Sequence, residues 1–197
     1  MFKFIISLYI NMDTLRDEFL DSIDDKYGKI LIEIAKNAIK NEFNITYSRI
    51  DIPEKLKKKA GAFVTINENN SLRGCIGYPY PIMELYRAVE KSAVGAAFDD
   101  PRFMPLKKKE IDKIEIEITI LGEMMKLDYK NIDEITIGKH GLYIKNGIYS
   151  GILLPQVATE YNFTKKEFLE ETCLKAGLNK NCYTDSELYV FEGKIIK

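Results

Sequence analysis

Residues 114–120, Ile-Glu-Ile-Glu-Ile-Thr-Ile, alternate apolar and polar with a period of two. Successive side chains point to opposite faces only in a β-strand, so this run predicts a strand with one buried and one wet side. A half-wet strand suits an antiparallel sheet better than the doubly covered sheet of a parallel fold. Around it, hairpins and helices mix. Residues 61–66 read as a buried strand, 67–71 as a polar turn and 72–77 as the returning strand. Asn146-Gly147, between apolar runs at 142–145 and 148–154, is a type I′ hairpin signal. Residues 187–196 read as a final strand.

Helical spacing fills the gaps. Leu15, Phe19, Ile23 and Tyr27 fall four apart, which predicts a helix over 13–26 capped by Asp13. Ile30, Leu31, Ile34, Ala35, Ala38 and Ile39 form a second amphipathic stripe. Pro53 opens a short basic helical turn. Pro81 suits the first turn of a helix running to Phe98, whose Gly95, Ala96 and Ala97 permit close backbone packing. Asp100 precedes a proline, which stops that helix. Thr164 and Glu167 form a capping box, and Gly177 is placed to end the helix it starts. With no regular βαβ alternation, repeat or linker, the pattern is α+β.

At 197 residues the chain has the length of one domain. The expected division is residues 13–197 as that domain and 1–12 as an N-terminal extension, with Met12 an alternative start to Met1. The apolar run at 4–10 is too short to span a bilayer and has no small-residue cleavage site. No membrane association is expected. Lys and Arg number 29 against 30 Asp and Glu, a balance unlike that of a dedicated nucleic-acid binder. The lysine clusters at 55–59 and 107–109 are not interleaved with aromatics that could stack on bases. Cys75, Cys173 and Cys182 form no Cys-x-x-Cys pair, and His140 is the single histidine, so no zinc set is predicted. The scattered thiols and the lack of an export signal predict reduced cysteines and a cytoplasmic protein. No phosphate-binding loop or dinucleotide fingerprint is present, so no cofactor is predicted.

Several motifs occur together: Gly61-Ala-Phe-Val-Thr65, Leu72-Arg-Gly-Cys-Ile-Gly77, Ala96-Ala-Phe-Asp-Asp-Pro-Arg-Phe103, Ile137-Gly-Lys-His-Gly141, Leu154-Pro-Gln-Val157 and Lys175-Ala-Gly-Leu178. In this order the sequence resembles the AMMECR family over residues 30–180, and its Lys- and Ile-rich composition looks archaeal. The resemblance implies a two-lobed α+β fold. A larger lobe, a β-sheet flanked by helices, would be built from both chain ends, with a smaller, mainly β lobe inserted. The Cys75 motif would lie near their junction. Similar proteins accompany Memo-type and radical SAM proteins as the A component of AmmeMemoRadiSam systems, which implies a protein partner of one of those kinds. Family tryptophans are absent here, and Phe163, Leu174 and Tyr183 stand where they are expected.

The motif residues divide by chemistry. Cys75 lies between glycines, ahead of a helix start whose dipole, with Arg73, would favour thiolate. His140, in a predicted turn, is the single imidazole available as its base. Against that stands the ordinary fate of cysteine, burial in a core. Arg73 shares a strand face with Cys75 and suits a bidentate phosphate or carboxylate, or else a salt bridge to Asp99, Asp100 or a glutamate. Arg102 is either a ligand contact or a latch from its turn to a neighbouring strand. Gly74 admits close approach, and Gln156 presents an amide to a cleft or satisfies backbone. Together, Arg73, Gly74, Cys75, Arg102, His140 and Gln156 outline a cleft for a small anionic ligand. The rival expectation is a non-catalytic adaptor, with nucleic acid a distant third.

Overall fold

The computed structural model describes residues 17–47 and 49–197. The run at 4–10 and the expected Asp13 cap lie outside them. Two short-range caps set the first helices. Asp17 caps α1 (Glu18–Ser22), its carboxylate accepting from the Phe19 and Leu20 N–H groups at 3.0 and 3.1 Å. Asp24 caps α2 (Asp25–Glu42) by accepting from Tyr27 N–H at 3.1 Å. The single helix expected to run to Lys26 is therefore broken at residues 23–24, where a second N-cap aspartate starts a new one.

The other elements are β1 (Gly61–Glu68), β2 (Ser71–Tyr78), α3 (Leu85–Phe98), β3 (Ile114–Leu121), β4 (Met125–Leu127), β5 (His140–Asn146), β6 (Tyr149–Leu153), α4 (Pro155–Glu160), α5 (Lys165–Lys175) and β7 (Glu187–Ile196). Helix α3 starts at Leu85, past Pro81, because Lys59 bridges Glu84 and Leu85 N–H donates to Lys58 carbonyl. That contact holds the residue before the helix extended. The capping box of α5 is present as expected, and Gly177 reverses the chain after it at φ +77°.

All strand pairs are antiparallel, in the order β2-β1-β3-β7-β5-β6, with β4 also on β7. Strand β7 joins the two halves. Its residues 193–196 pair with β3, and residues 187–192 pair with β5. Helices α2 and α3 cover the first half, where Leu31, Ile34, Val64, Val89, Ile118 and Ile120 share a core with Ile196 from the other end of the chain. A second core gathers Leu142, Ile144, Phe168, Leu169, Leu188 and Val190. Tyr143, Phe191, Leu121 and Leu154 form a smaller cluster, with Phe63 and Tyr189 packed against it. The sheet is curled: Tyr80, just past β2, meets Tyr143 of β5 edge-on at 5.5 Å although three strands intervene. The α+β class stands.

Two further expectations change. The polar side of β3 is not wet throughout, since Thr119 is 1% exposed beneath α4. Cys173 and Cys182 are not reduced thiols but a disulfide, Cα–Cα 5.7 Å. The turn-back at Gly177 and a short 3₁₀ turn (Cys182–Thr184) return the chain to the end of α5, a proximity that no local motif announces.

The concave sheet face around Cys75 as candidate functional site

Strand β2 sorts its motif by face. Gly74 and Ile76 turn toward α3. A Cβ on Gly74 would stand 2.0 Å from the Ala96 carbonyl oxygen, and Ile76 abuts Gly95. Gly74 is thus required by helix packing, on the face opposite Cys75. Cys75 lies across from Thr65, and Thr65 across from Glu117; Gly77, Phe63 and Thr119 form the next row. The Thr65 hydroxyl donates to Cys75 Sγ at 3.4 Å.

The turn after α3 closes on the outer edge of β2. Cys75 N–H donates to Asp100 Oδ2 at 2.9 Å, and Arg102 Nη2 donates to the Cys75 carbonyl at 3.4 Å. Arg102 also grips Asp100 with two bonds, Nε to Oδ1 at 2.9 Å and Nη2 to Oδ2 at 2.7 Å. An aspartate–arginine pair therefore takes the place of a further strand at Cys75. The Asp100 side chain is 2% exposed and that of Arg102 47%. Arg102's side-chain hydrogen bonds hold the Asp100 carboxyl well below the usual carboxylate range, helped by the Cys75 and Arg102 backbone N–H groups against the cost of burial.

Burial pushes the Cys75 thiol up, over the opposing pull of the Thr65 hydrogen bond and of the positive Arg102 and Lys175. The thiolate expected from Arg73 is not favoured. Arg73 donates instead to Glu110 Oε1 at 3.0 Å and to the Pro105 carbonyl at 3.4 Å. The two side chains of that pair are only 16% and 15% exposed.

His140 is not in a turn. It opens β5, fully buried, and its Nδ1 accepts from Thr136 N–H at 3.1 Å. Its strand parity is that of Leu142 and Ile144 in the second core, whereas Tyr143 faces the cluster that Phe63 adjoins. The imidazole and the Cys75 thiol thus lie on opposite faces of the sheet. Gln156, at the start of α4, donates from Nε2 to Glu117 Oε1 at 3.2 Å and to Thr119 Oγ1 at 3.0 Å, side chains rather than backbone. Lys197 pairs with the other Glu117 oxygen at 3.0 Å. The fold thus brings Cys75, Arg102 and Gln156 to one face and its rim. Thr65, which ends the Gly61–Thr65 motif, and Glu117 join them, and the charge of Lys175, which opens the Lys175–Leu178 motif, reaches the thiol. The register of the first hairpin sets Thr65 beside Cys75; no local signal sets the Lys175 charge near it. Among the described residues, no cluster of histidine, cysteine and carboxylate side chains is placed to hold a metal ion. Nor is any described helix long and apolar enough to cross a membrane.

The sequence profile of the AMMECR1 family matches residues 32–196. The chain belongs to the AMMECR1 family. Its relatives include the protein NEQ441 of Nanoarchaeum equitans, 51% identical over 154 residues, which cover 75% of this chain and 86% of that one. A protein of Aquifex aeolicus is 46% identical over 176 residues, 84% of this chain and 89% of the other. The crystal structure of the uncharacterized protein PH0010 from Pyrococcus horikoshii superposes with a TM-score of 0.80 at 37% identity, covering 92% of each chain. The Pyrococcus horikoshii protein thus shares this fold.

Proposed function

We propose that the concave face beside Cys75 binds a small anionic ligand, with Arg102 and Lys175 as its cations and the Cys75–Thr65 pair as its floor. The observation behind this reading is the half-exposed Arg102 guanidinium, held at Cys75 by a buried carboxylate. A guanidinium fixed before binding loses little further freedom when it takes an oxyanion. Lys175 adds a second positive charge on the same thiol from the other half of the sheet. Arg73 is already engaged with Glu110 and contributes no free donor fork. Gln156 and Glu117 form the wall that limits ligand size.

Titrating inorganic phosphate and then succinate into isotope-labelled protein tests this. Saturable shifts are expected at Thr65, Cys75 and the Arg102 Nε–H. Arg102→Ala should weaken binding about tenfold or more, as loss of a charge-assisted contact does. Lys175→Gln, at an exposed position, provides a second variant that leaves the core packing untouched. No shift at these residues up to tens of millimolar would remove the reading.

A protein partner of the Memo or radical SAM type is the second reading. Ile82 is 62% exposed and Met104 76%, on the loops flanking β2 at its two ends. Paired Ile82→Asp and Met104→Asp changes should abolish copurification of such a partner and leave phosphate shifts intact.

A further inference from the structure

The row of the sheet that starts at Cys75 continues inward as Thr65 on β1 and Glu117 on β3. These three residues are half-buried, while their neighbours Val64 and Ile118 turn the other way into the first core. Strands run about 4.8 Å apart, so the Cα atoms of Cys75 and Glu117 are roughly 10 Å from each other. The two ends of the row carry opposite charge. At the Cys75 end stands the Arg102 guanidinium, bonded to the Cys75 carbonyl. At the other end stands the Glu117 carboxylate. Gln156 donates to its Oε1 at 3.2 Å and is itself anchored by a second bond to Thr119, so the carboxylate is oriented from α4. Lys197 donates to Oε2 at 3.0 Å from the other side. The Lys197 side chain is 78% exposed and that of Glu117 only 17%. An ion pair with one solvated partner opens at little cost. Lys197 is therefore an exchangeable counter-ion on a fixed carboxylate, in a negative field to which Glu160 and Glu115 add.

We infer that the ligand of the Cys75 face is a zwitterion, its anionic group on Arg102 and its protonated amine on Glu117 Oε2, where it exchanges with the Lys197 ammonium. This rests on the anion reading above and narrows it. A ligand with a second negative charge would set that charge against Glu117. An amine in the same place completes the alternation of charge along the row. The side chains lean inward from both ends, so the two ligand charges stand about 5–7 Å apart, a little more than one strand spacing.

3-Aminopropyl phosphate and propyl phosphate share the phosphate and the chain and differ by the amine, so they isolate the Glu117 end. In titrations of isotope-labelled protein both should shift the Thr65 and Cys75 amides. The amine should bind about fivefold more tightly although its net negative charge is smaller, the worth of one partly solvated charge contact. Glu117→Gln should erase that preference. Lys197→Met removes the competing ammonium and should widen it about twofold. Arg102→Ala should weaken both compounds by the same factor. Equal affinities in the natural protein, a preference that survives Glu117→Gln, or one that narrows in Lys197→Met would each overturn the zwitterion and leave the anion site standing. Absence of Cys75 shifts with either compound would overturn the anion site and the zwitterion with it.

Discussion

Strands β2 and β6 end the sheet on its two sides, and each is held by different chemistry. An edge strand offers unpaired N–H and C=O groups to any passing strand. At β2 the cover is polar. Asp100 and Arg102 bond the Cys75 backbone, and Arg73 reaches Glu110 along the same edge. At β6 the contact is helix backbone, laid on the face of the strand. A Cβ on Gly151 would stand 2.5 Å from Ala176 N and 2.6 Å from the Thr172 carbonyl, so the last turn of α5 rests directly on the strand. The Cys173–Cys182 disulfide ties that turn to the chain leading into β7. One end of the sheet should therefore answer to charge and pH, the other to volume and redox state.

The largest break in this contrast comes from volume. Gly151→Ala inserts a methyl against backbone atoms that cannot rotate away, so α5 must move off β6. Overpacking of this kind costs about 3 kcal/mol. Urea unfolding should show the loss, and amide exchange should place it in β5, β6 and α5 while β1 and β2 keep their protection. An unchanged midpoint would mean that α5 does not rest on Gly151.

Redox state is the next lever. Closing a loop with nine residues of separation constrains the unfolded chain, which on the entropic account stabilises by about 2–3 kcal/mol. Dithiothreitol should lower the melting temperature and loosen residues 173–186 first. Cys75, unpaired and half-buried, is the built-in control. Cys75→Ser should leave the reductant effect unchanged, and equal stability with and without reductant would show that the link contributes nothing.

The same contrast separates what can be read from the sequence. Where periodicity or a cap sets structure locally, residues and structure agree: the alternation of β3, the strand at 187–196, and the Thr164–Glu167 box all stand where their residues put them. The hairpin turns are legible only in part. Asn69 and Asn70, both at positive φ (52° and 59°), make the type I′ turn. The Asn146-Gly147 signal is one residue out. Asn146 pairs with Tyr149, so Gly147 and Ile148 form the loop, and of these Gly147 alone has positive φ, at +59°, the pattern of a type II′ turn. At the site, Arg102 as a latch to the neighbouring strand is one of two readings that its residues allow, because turn arginines beside an exposed strand have few other uses. The reach of the Lys175 charge to Cys75 and the meeting of Cys173 with Cys182 depend on how the whole sheet curls. Curl is a sum of twists over many residues, and no single motif carries it.

The smallest effect, and the one that isolates the β2 end, is acid. The folded Asp100 carboxyl titrates below its ordinary value because the Arg102 side chain and the Cys75 N–H bond its charged form. A depressed carboxylate contributes stability above its unfolded pKa, about 4. That contribution fades as pH falls through the window below it, toward the folded value. Asp100→Asn keeps the shape and removes the charge, so it should cost about 2 kcal/mol at neutral pH, the scale of hydrogen bonds to a charged group. The gap between the natural protein and the Asp100→Asn variant should then narrow steadily below about pH 4. Gly151→Ala provides the reference, since its deficit arises from packing and should stay constant over the same range. Parallel acid curves for all three proteins would mean that the Asp100–Arg102 pair is a solvated ornament of the turn. A narrowing confined to the Asp100 variant would establish that the β2 edge, and with it the Cys75 face, is held shut by charge.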